Sequence, residues 1–323
     1  MILTTEQWDL SHLQEHLQYA VDLEFWTIPF YMSCMYSVED RTSEAYQLIR
    51  TVVNQEMLHL QCAANIANVY GLSPTFEAPV YKGKVIPHLA FSDDDKKVTA
   101  RYEPYTAEIG PLDEKHINAM CLIEIPEDET GHKPNLHDDV SEYGSIGEFY
   151  EATAYGAAQL RDQIKGGLKQ VDFFSAFYRQ IPSLTITESG DHGFSQVSLL
   201  IELITDQGEG EKSKDRKKGE VSLTNPFQNT ADDPWPDDDH FEKFNMIKEN
   251  KKKPSIFSAK PEKDYSANDK ELLEIQMKQF DGLRDVLQQL FSGQNPQNFF
   301  PLMASVGGSI RNCWEHGITP KFS

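Results

Sequence analysis

In the stretch NQEMLHLQ, residues 54–61, Glu56 and His59 stand three positions apart. On an α-helix that spacing puts a carboxylate and an imidazole on one face. Ile49, Val52, Val53, Leu60, Ala63 and Ile66 recur around them at three- and four-residue steps, so the face turns toward an apolar interior. Upstream, Glu24 falls in a similar stripe with Ala20, Val21, Ile28 and Tyr31. A buried carboxylate without a partner costs several kcal/mol or takes up a proton. A cation shared between helices answers that cost, and carboxylate oxygens with imidazole nitrogens suit iron or manganese.

Glu-x-x-His also recurs on solvated helix surfaces, so its meaning depends on what other helices bring. A helical bundle builds a two-iron site from one Glu on each of two helices and Glu-x-x-His on each of the other two. The stretch SIGEFYEATAYGAAQLRDQIKGGL (145–168) offers Glu148 and Glu151. Glu148 lies beside Ile146 and Phe149 and is the first choice. FSQVSLLIELITDQ (194–207) runs into QGEG (207–210) and offers Glu202 and Glu209. No second Glu-x-x-His follows; the next histidine is His240, which opens HFEKFNMIK (240–248). For Glu151 and Glu202 the competing expectation is solvation or a surface salt bridge.

The elements that position these residues read as helices. Residues 5–37 form the first, with Pro29 inside it as a kink. Residues 43–70 form the second, stopped by Gly71 and followed by Pro74. The short link 38–42 makes them an antiparallel pair. From 73 to 140 the pattern dissolves into Pro, Gly and charge, with one short helix at 112–123, so this reads as an insertion. A second insertion covers 208–239. Helices at 266–291 and 296–315 close the chain. NFFPLMASVGGSIRNCW (298–314) is apolar enough to pack on the bundle or to meet a second copy as a homo-oligomer. Its Gly307–Gly308 pair permits close helix approach or breaks the helix. The expectation is a mostly α chain, one domain over 1–323, built on a four-helix bundle with long loop insertions and extra C-terminal helices.

The chain has 323 residues and a formal net charge of -21, from 51 acidic and 30 basic residues. That balance repels phosphate backbones and anionic lipid, which argues against nucleic-acid and membrane partners. FSDDDKK (91–97), IPEDET (125–130) and ADDPWPDDD (231–239) read as solvated loop charge. The four cysteines form no CxxC pair, which argues against a disulfide framework or a thiolate metal site. MILTTEQWDL lacks a basic and apolar leader pattern, and the expected location is cytoplasmic.

Taken in order, LQYAVDLEFWTIPFY, NQEMLHL, SIGEFYEA, QGEG and HFEKF resemble a ferritin-like family over about 15–250. That family includes the iminophenylpyruvate dimer synthase (chromopyrrolate synthase-like) domains of bacterial indole-alkaloid pathways. The resemblance implies a ferritin-like bundle and metal-ligand roles for Glu24, Glu56, His59, Glu148, Glu209 and His240. It favours Glu209 over Glu202, because the motif's Glu lies at the helix end where the chain loops out before His240. Two features depart from the pattern: a long charged insertion separates 209 from 240, and Phe241 stands where the family has Tyr.

The expected function is a non-haem diiron oxidase or oxygenase using O2 on a small metabolite in specialised biosynthesis. Its cofactors are two iron ions, with manganese or haem as the other metals to consider. Glu24 and the two histidines are the expected terminal ligands, with Glu56 and one of Glu148 or Glu209 bridging. Trp26, Tyr31, Phe149 and Tyr155 are candidates for the substrate pocket, although aromatics at helical spacing also fill cores. The alternatives are a non-catalytic iron-binding or storage protein and a haem-dependent coupling enzyme.

Overall fold

Asp9 accepts a hydrogen bond from the His12 N–H at 2.9 Å, and from that cap α1 (Leu10–Ser37) runs unbroken through Pro29. The computed structural model describes residues 8–87, 96–130, 136–137, 139–140, 142–174, 184–209 and 238–323. Ser43 caps α2 (Glu44–Val69), and Gly71 follows its end with φ +81°, the left-handed backbone that stops a helix. The short α3 (Lys96–Thr99), α4 (Glu114–Ile123) and α5 (Glu127–Thr130) come next. Then follow α6 (Ile146–Gln159), α7 (Gly190–Ile204) with a π-helical turn at Thr205–Glu209, and α8 (His240–Glu249). The chain closes with α9 (Ala267–Phe291) and α10 (Phe299–Glu315).

α1 packs along α2, α2 on α7, α7 on α6, and α6 back on α1, which closes a ring of four helices. α8 lies against α2 and α4. α6 ends at Gln159, earlier than its periodicity suggests, and a 3-10 turn at Arg161–Gln163 leads on to a Gly-Gly pair. A Cβ at Gly166 would collide with the Thr187 and Glu188 carbonyls, and Gly167 takes φ +75°, so the Gly-Gly pair turns the chain there. Residues 125–130 are only partly the solvated loop expected. Ile125 and Thr130 are buried, and α5 occupies the stretch. Residues 91–95 and 231–237, also read as loop charge, lie outside the described residues.

The C-terminal helices pack on the bundle. Trp314 Nε1 donates to the Ser33 carbonyl at 3.0 Å. Arg311 donates to the carbonyls of Tyr36, Val38 and Glu39, satisfying oxygens left free where α1 ends. α10 stays helical through Gly307 and Gly308, and a Cβ at Gly307 would collide with the Tyr36 hydroxyl. The glycine therefore serves close approach. Among the described residues β-structure is limited to isolated bridges such as Val38 with Ile256 and Lys82 with Val85, and no helix is long and apolar enough to cross a membrane.

His16 ties α1 to the chain that enters α6. Its Nδ1 faces the His12 carbonyl at 3.0 Å, so that nitrogen carries the proton. Its Nε2 then accepts from the Tyr143 hydroxyl at 2.8 Å, and the ring stacks on Phe149. Burial pulls the His16 pKa down to about 4. The folded state thus binds fewer protons than the unfolded chain, whose histidine titrates near 6.5. The neutral ring's contribution is complete above about pH 6.5 and is lost as pH falls toward 4, on the order of 3 kcal/mol. We expect His16→Phe to flatten the decline of Tm between about pH 6.5 and about pH 4, followed by calorimetry. An unchanged decline would place the acid sensitivity elsewhere.

Candidate metal centre

Five fully buried side chains converge inside the bundle: Glu24 from α1, Glu56 and His59 from α2, Glu124 at the end of α4, and His240 opening α8. They form two overlapping groups. Glu24, Glu56 and His59 each offer a donor atom within 4.8 Å of the others, and so do Glu56, Glu124 and His240. Glu56 belongs to both. His59 Nδ1 lies 3.7 Å from Glu24 Oε2. His240 Nδ1 lies 3.2 Å from Glu56 Oε1 and 3.5 Å from Glu124 Oε2.

Each donor residue is held by its other polar atom. Tyr150 of α6 donates to Glu24 Oε1, and Tyr31 of α1 donates to Glu124 Oε1. Thr27 donates to Glu56 Oε2 at 2.7 Å. His59 Nε2 meets Gln207 Oε1 at 2.6 Å, and His240 Nε2 meets Gln55 Oε1 at 3.2 Å. An amide oxygen only accepts, so both imidazoles carry hydrogen on Nε2 and turn Nδ1 toward the carboxylates. Lys243, itself fully buried one turn after His240, donates to the same Gln55 oxygen at 3.3 Å and fixes the amide's orientation.

The inward atoms are short of partners. Among the described residues Glu24 Oε2, Glu56 Oε1, Glu124 Oε2 and His240 Nδ1 make no hydrogen bond. Burial and the neighbouring Glu56 push the Glu24 carboxyl well above the usual range, and burial and Glu124 do the same to Glu56. Burial and the nearby His240 hold His59 well below its usual value. Acids crowded together beside an imidazole kept neutral at His59 are a donor set that a divalent cation completes. Three carboxylates with two imidazoles suit iron or manganese and supply more oxygen than a haem, with its own nitrogen donors, can use. The thiols do not compete: all four cysteines are buried, and burial raises Cys34, Cys62, Cys121 and Cys313 above the usual thiol value.

Of the residues singled out by spacing, the structure brings together Glu24, Glu56, His59 and His240. Glu148 belongs to neither group. It sits in the first turn of α6, where Oε2 accepts the Gly144 N–H at 2.8 Å and Oε1 faces His137 Nε2 at 3.3 Å. Glu151 and Glu202 are exposed. Glu209 ends the π-helical turn, and its side chain lies outside what is described. Spacing alone misses Glu124, because it lies in the segment that reads as insertion. Its signal is a single carboxylate in the apolar run MCLIEIP, residues 120–126. Gln207 opens the QGEG motif, two positions before the glutamate that marks the motif as a candidate.

The four aromatics expected to line a pocket have these contacts. Tyr31 holds Glu124, and Trp26 Nε1 donates to the Val80 carbonyl at 2.9 Å. Phe149 is buried among His16, Tyr143 and Tyr150, and Tyr155 lies beside Trp8.

Two outcomes follow. Glu56→Leu in metal-free protein should raise Tm by about 3–10 °C, because a crowded buried carboxyl, costly whether ionised or protonated, is replaced by hydrocarbon, while metal binding is lost. Thermal unfolding in chelator checks this, and a fall in Tm would mean the carboxylate is already compensated. Lys243→Met should free the Gln55 amide to turn, move hydrogen from His240 Nε2 to Nδ1 and weaken metal binding by about 10–100-fold. Imidazole nitrogen chemical shifts report the tautomer, and an unchanged spectrum would remove Lys243 from this role.

Comparison with known proteins places this geometry. A family model described as Ferritin-like matches residues 17–249. The crystal structure of a ferritin-like protein from Caulobacter vibrioides superposes with a TM-score of 0.85 at 41% identity, covering 98% of this chain and 99% of that one. No curated protein sequence matches. With four of the bundle's expected ligand positions gathered around Glu56, and most of the chain aligned, this protein belongs to the ferritin-like family.

Proposed function

We propose that this protein is a non-haem diiron oxidase or oxygenase that uses O2 on a small metabolite. The observation that carries the reading is the sharing of Glu56 by two otherwise separate Glu/His groups. A storage site needs only to bind iron. Two fully buried half-sites with every ligand braced by its own hydrogen bond favour a fixed pair of ions.

In this reading Glu24, Glu56 and His59 would hold one ion, and Glu56, Glu124 and His240 the other. Glu209, at the end of the π-helical turn, supplies a sixth ligand. When bound, the iron pair supplies the electrons and open coordination positions for reducing O2 and oxidising the substrate. The chain's own work is to exclude water and to hold protons. The phenol of Tyr150 donates to the outward oxygen of Glu24, and that of Tyr31 to the outward oxygen of Glu124, keeping each carboxylate's inward oxygen aimed at the centre. The same hydroxyls stand within hydrogen-bond reach to pass a proton to those carboxylates. The resemblance to the imine-coupling domains supports an amino-acid-derived substrate, without selecting one.

Anaerobic reconstitution with ferrous salt tests the proposal. Elemental analysis should find two irons per chain, and adding O2 should oxidise them rapidly. Glu124→Ala and Glu209→Ala should each lower the iron content, and Glu148→Ala should not. A variable load of many irons per chain would establish storage instead. Full iron binding by Glu124→Ala would overturn the ligand set.

A further inference from the structure

A second feature lies on the same helices, a quarter turn from the metal ligands. At about 100° per residue, Phe25, Ile28 and Met32 of α1 point roughly 90° away from Glu24, Thr27 and Tyr31, and Met57, Leu60 and Gln61 of α2 do the same relative to Glu56 and His59. These residues form one wall of a cleft whose other wall is α9 and α10, through residues such as Phe280 and Met303. The cleft measures about 550 Å³ including the solvent at its mouth, with an inner void of about 30 Å³.

Gln61 is the one polar side chain among the described residues of the lining, and it is fully buried. Its oxygen is committed, accepting the Phe173 N–H at 2.7 Å and the Phe174 N–H at 3.3 Å. Turning the amide over would set its NH2 against two other donors, so the orientation is fixed. Nε2 is then buried with no acceptor among the described residues. Folded proteins rarely keep such a donor, whose desolvation costs about 1–3 kcal/mol. Water is a poor answer, because a buried water takes two to four polar partners and this wall offers one.

We propose that the cleft binds a small, uncharged, apolar molecule carrying one carbonyl oxygen, which accepts from Gln61 Nε2. The apolar walls supply the binding surface, and the amide sets orientation. No charged side chain lines the cleft among the described residues, so a carboxylate there would be buried without a counter-ion. The inner void holds little beyond a water and Nε2 is itself covered, so entry must move Met32, Met57 and Met303, unbranched side chains that repack readily, to admit the molecule and uncover the amide. The proposal does not depend on iron or on the oxidase reading.

Acetophenone, α-methylstyrene and benzoate test it on the full chain by calorimetry or chemical-shift titration. The first two share a shape, with C=CH2 replacing C=O, and the third adds charge. Acetophenone should bind about tenfold more tightly than α-methylstyrene, and benzoate should not bind. Gln61→Leu should bring the two neutral probes to equal affinity. Met303→Trp should abolish binding of both while leaving iron content at the native level, which separates this cleft from the metal centre. The proposal is overturned if no probe binds, if benzoate binds best, or if the tenfold preference survives Gln61→Leu. Should Gln61→Leu fail to fold, Met303→Trp decides: acetophenone binding that persists there sinks the assignment.

Discussion

Three carboxylates buried side by side repel one another, and the rest of this structure is arranged around that repulsion. Glu24, Glu56 and Glu124 are removed from water, and their inward oxygens face one another and the imidazoles of His59 and His240. No apolar core of this size would gather such groups for stability alone, because each is worth more in solvent. The cluster persists because four helices, each anchored by extensive apolar packing elsewhere, carry the groups inward together. Stability is concentrated in the α1–α2 pair and the helices that close the ring, and part of it is surrendered at the centre.

The bracing explains how crowded acids keep a defined geometry. Tyr150, Thr27 and Tyr31 hold the outward carboxylate oxygens, and Gln207 and Gln55 hold the outward imidazole nitrogens. The braces come from α1, α2, α6 and the turn after α7, so the site reports on the whole bundle's assembly. Gln207 depends on the π-helical turn after α7, an irregularity of the kind often found at functional sites. Lys243 extends the bracing one step further, through Gln55 to His240.

The C-terminal helices give the α1–α2 pair a second neighbour and, with it, a second chemical environment. One face of the pair is polar and crowded, and the adjoining face is apolar with one unsatisfied amide. Arg311 and Trp314 fasten α10 to the end of α1 through backbone carbonyls, and Gly307 admits Tyr36 at the contact. These are sequence-distant contacts that fix where the cleft can form.

The sequence by itself determined the helices and much of the centre. Apolar periodicity over long segments specifies which face of α1 and α2 is buried, and a Glu or His on that face is legible as a site residue wherever it stands. Glu24, Glu56 and His59 are visible for that reason, and His240 through its motif. Only the tertiary structure decided the remainder. Glu148 is buried and one turn into its helix, yet local contacts to Gly144 and His137 occupy it, while Glu124 enters from a short helix inside an apparent insertion. Periodicity reports whether a side chain faces inward, not which inward groups meet. That is set by how α4 and α8 dock against α2, through contacts between residues far apart in the chain.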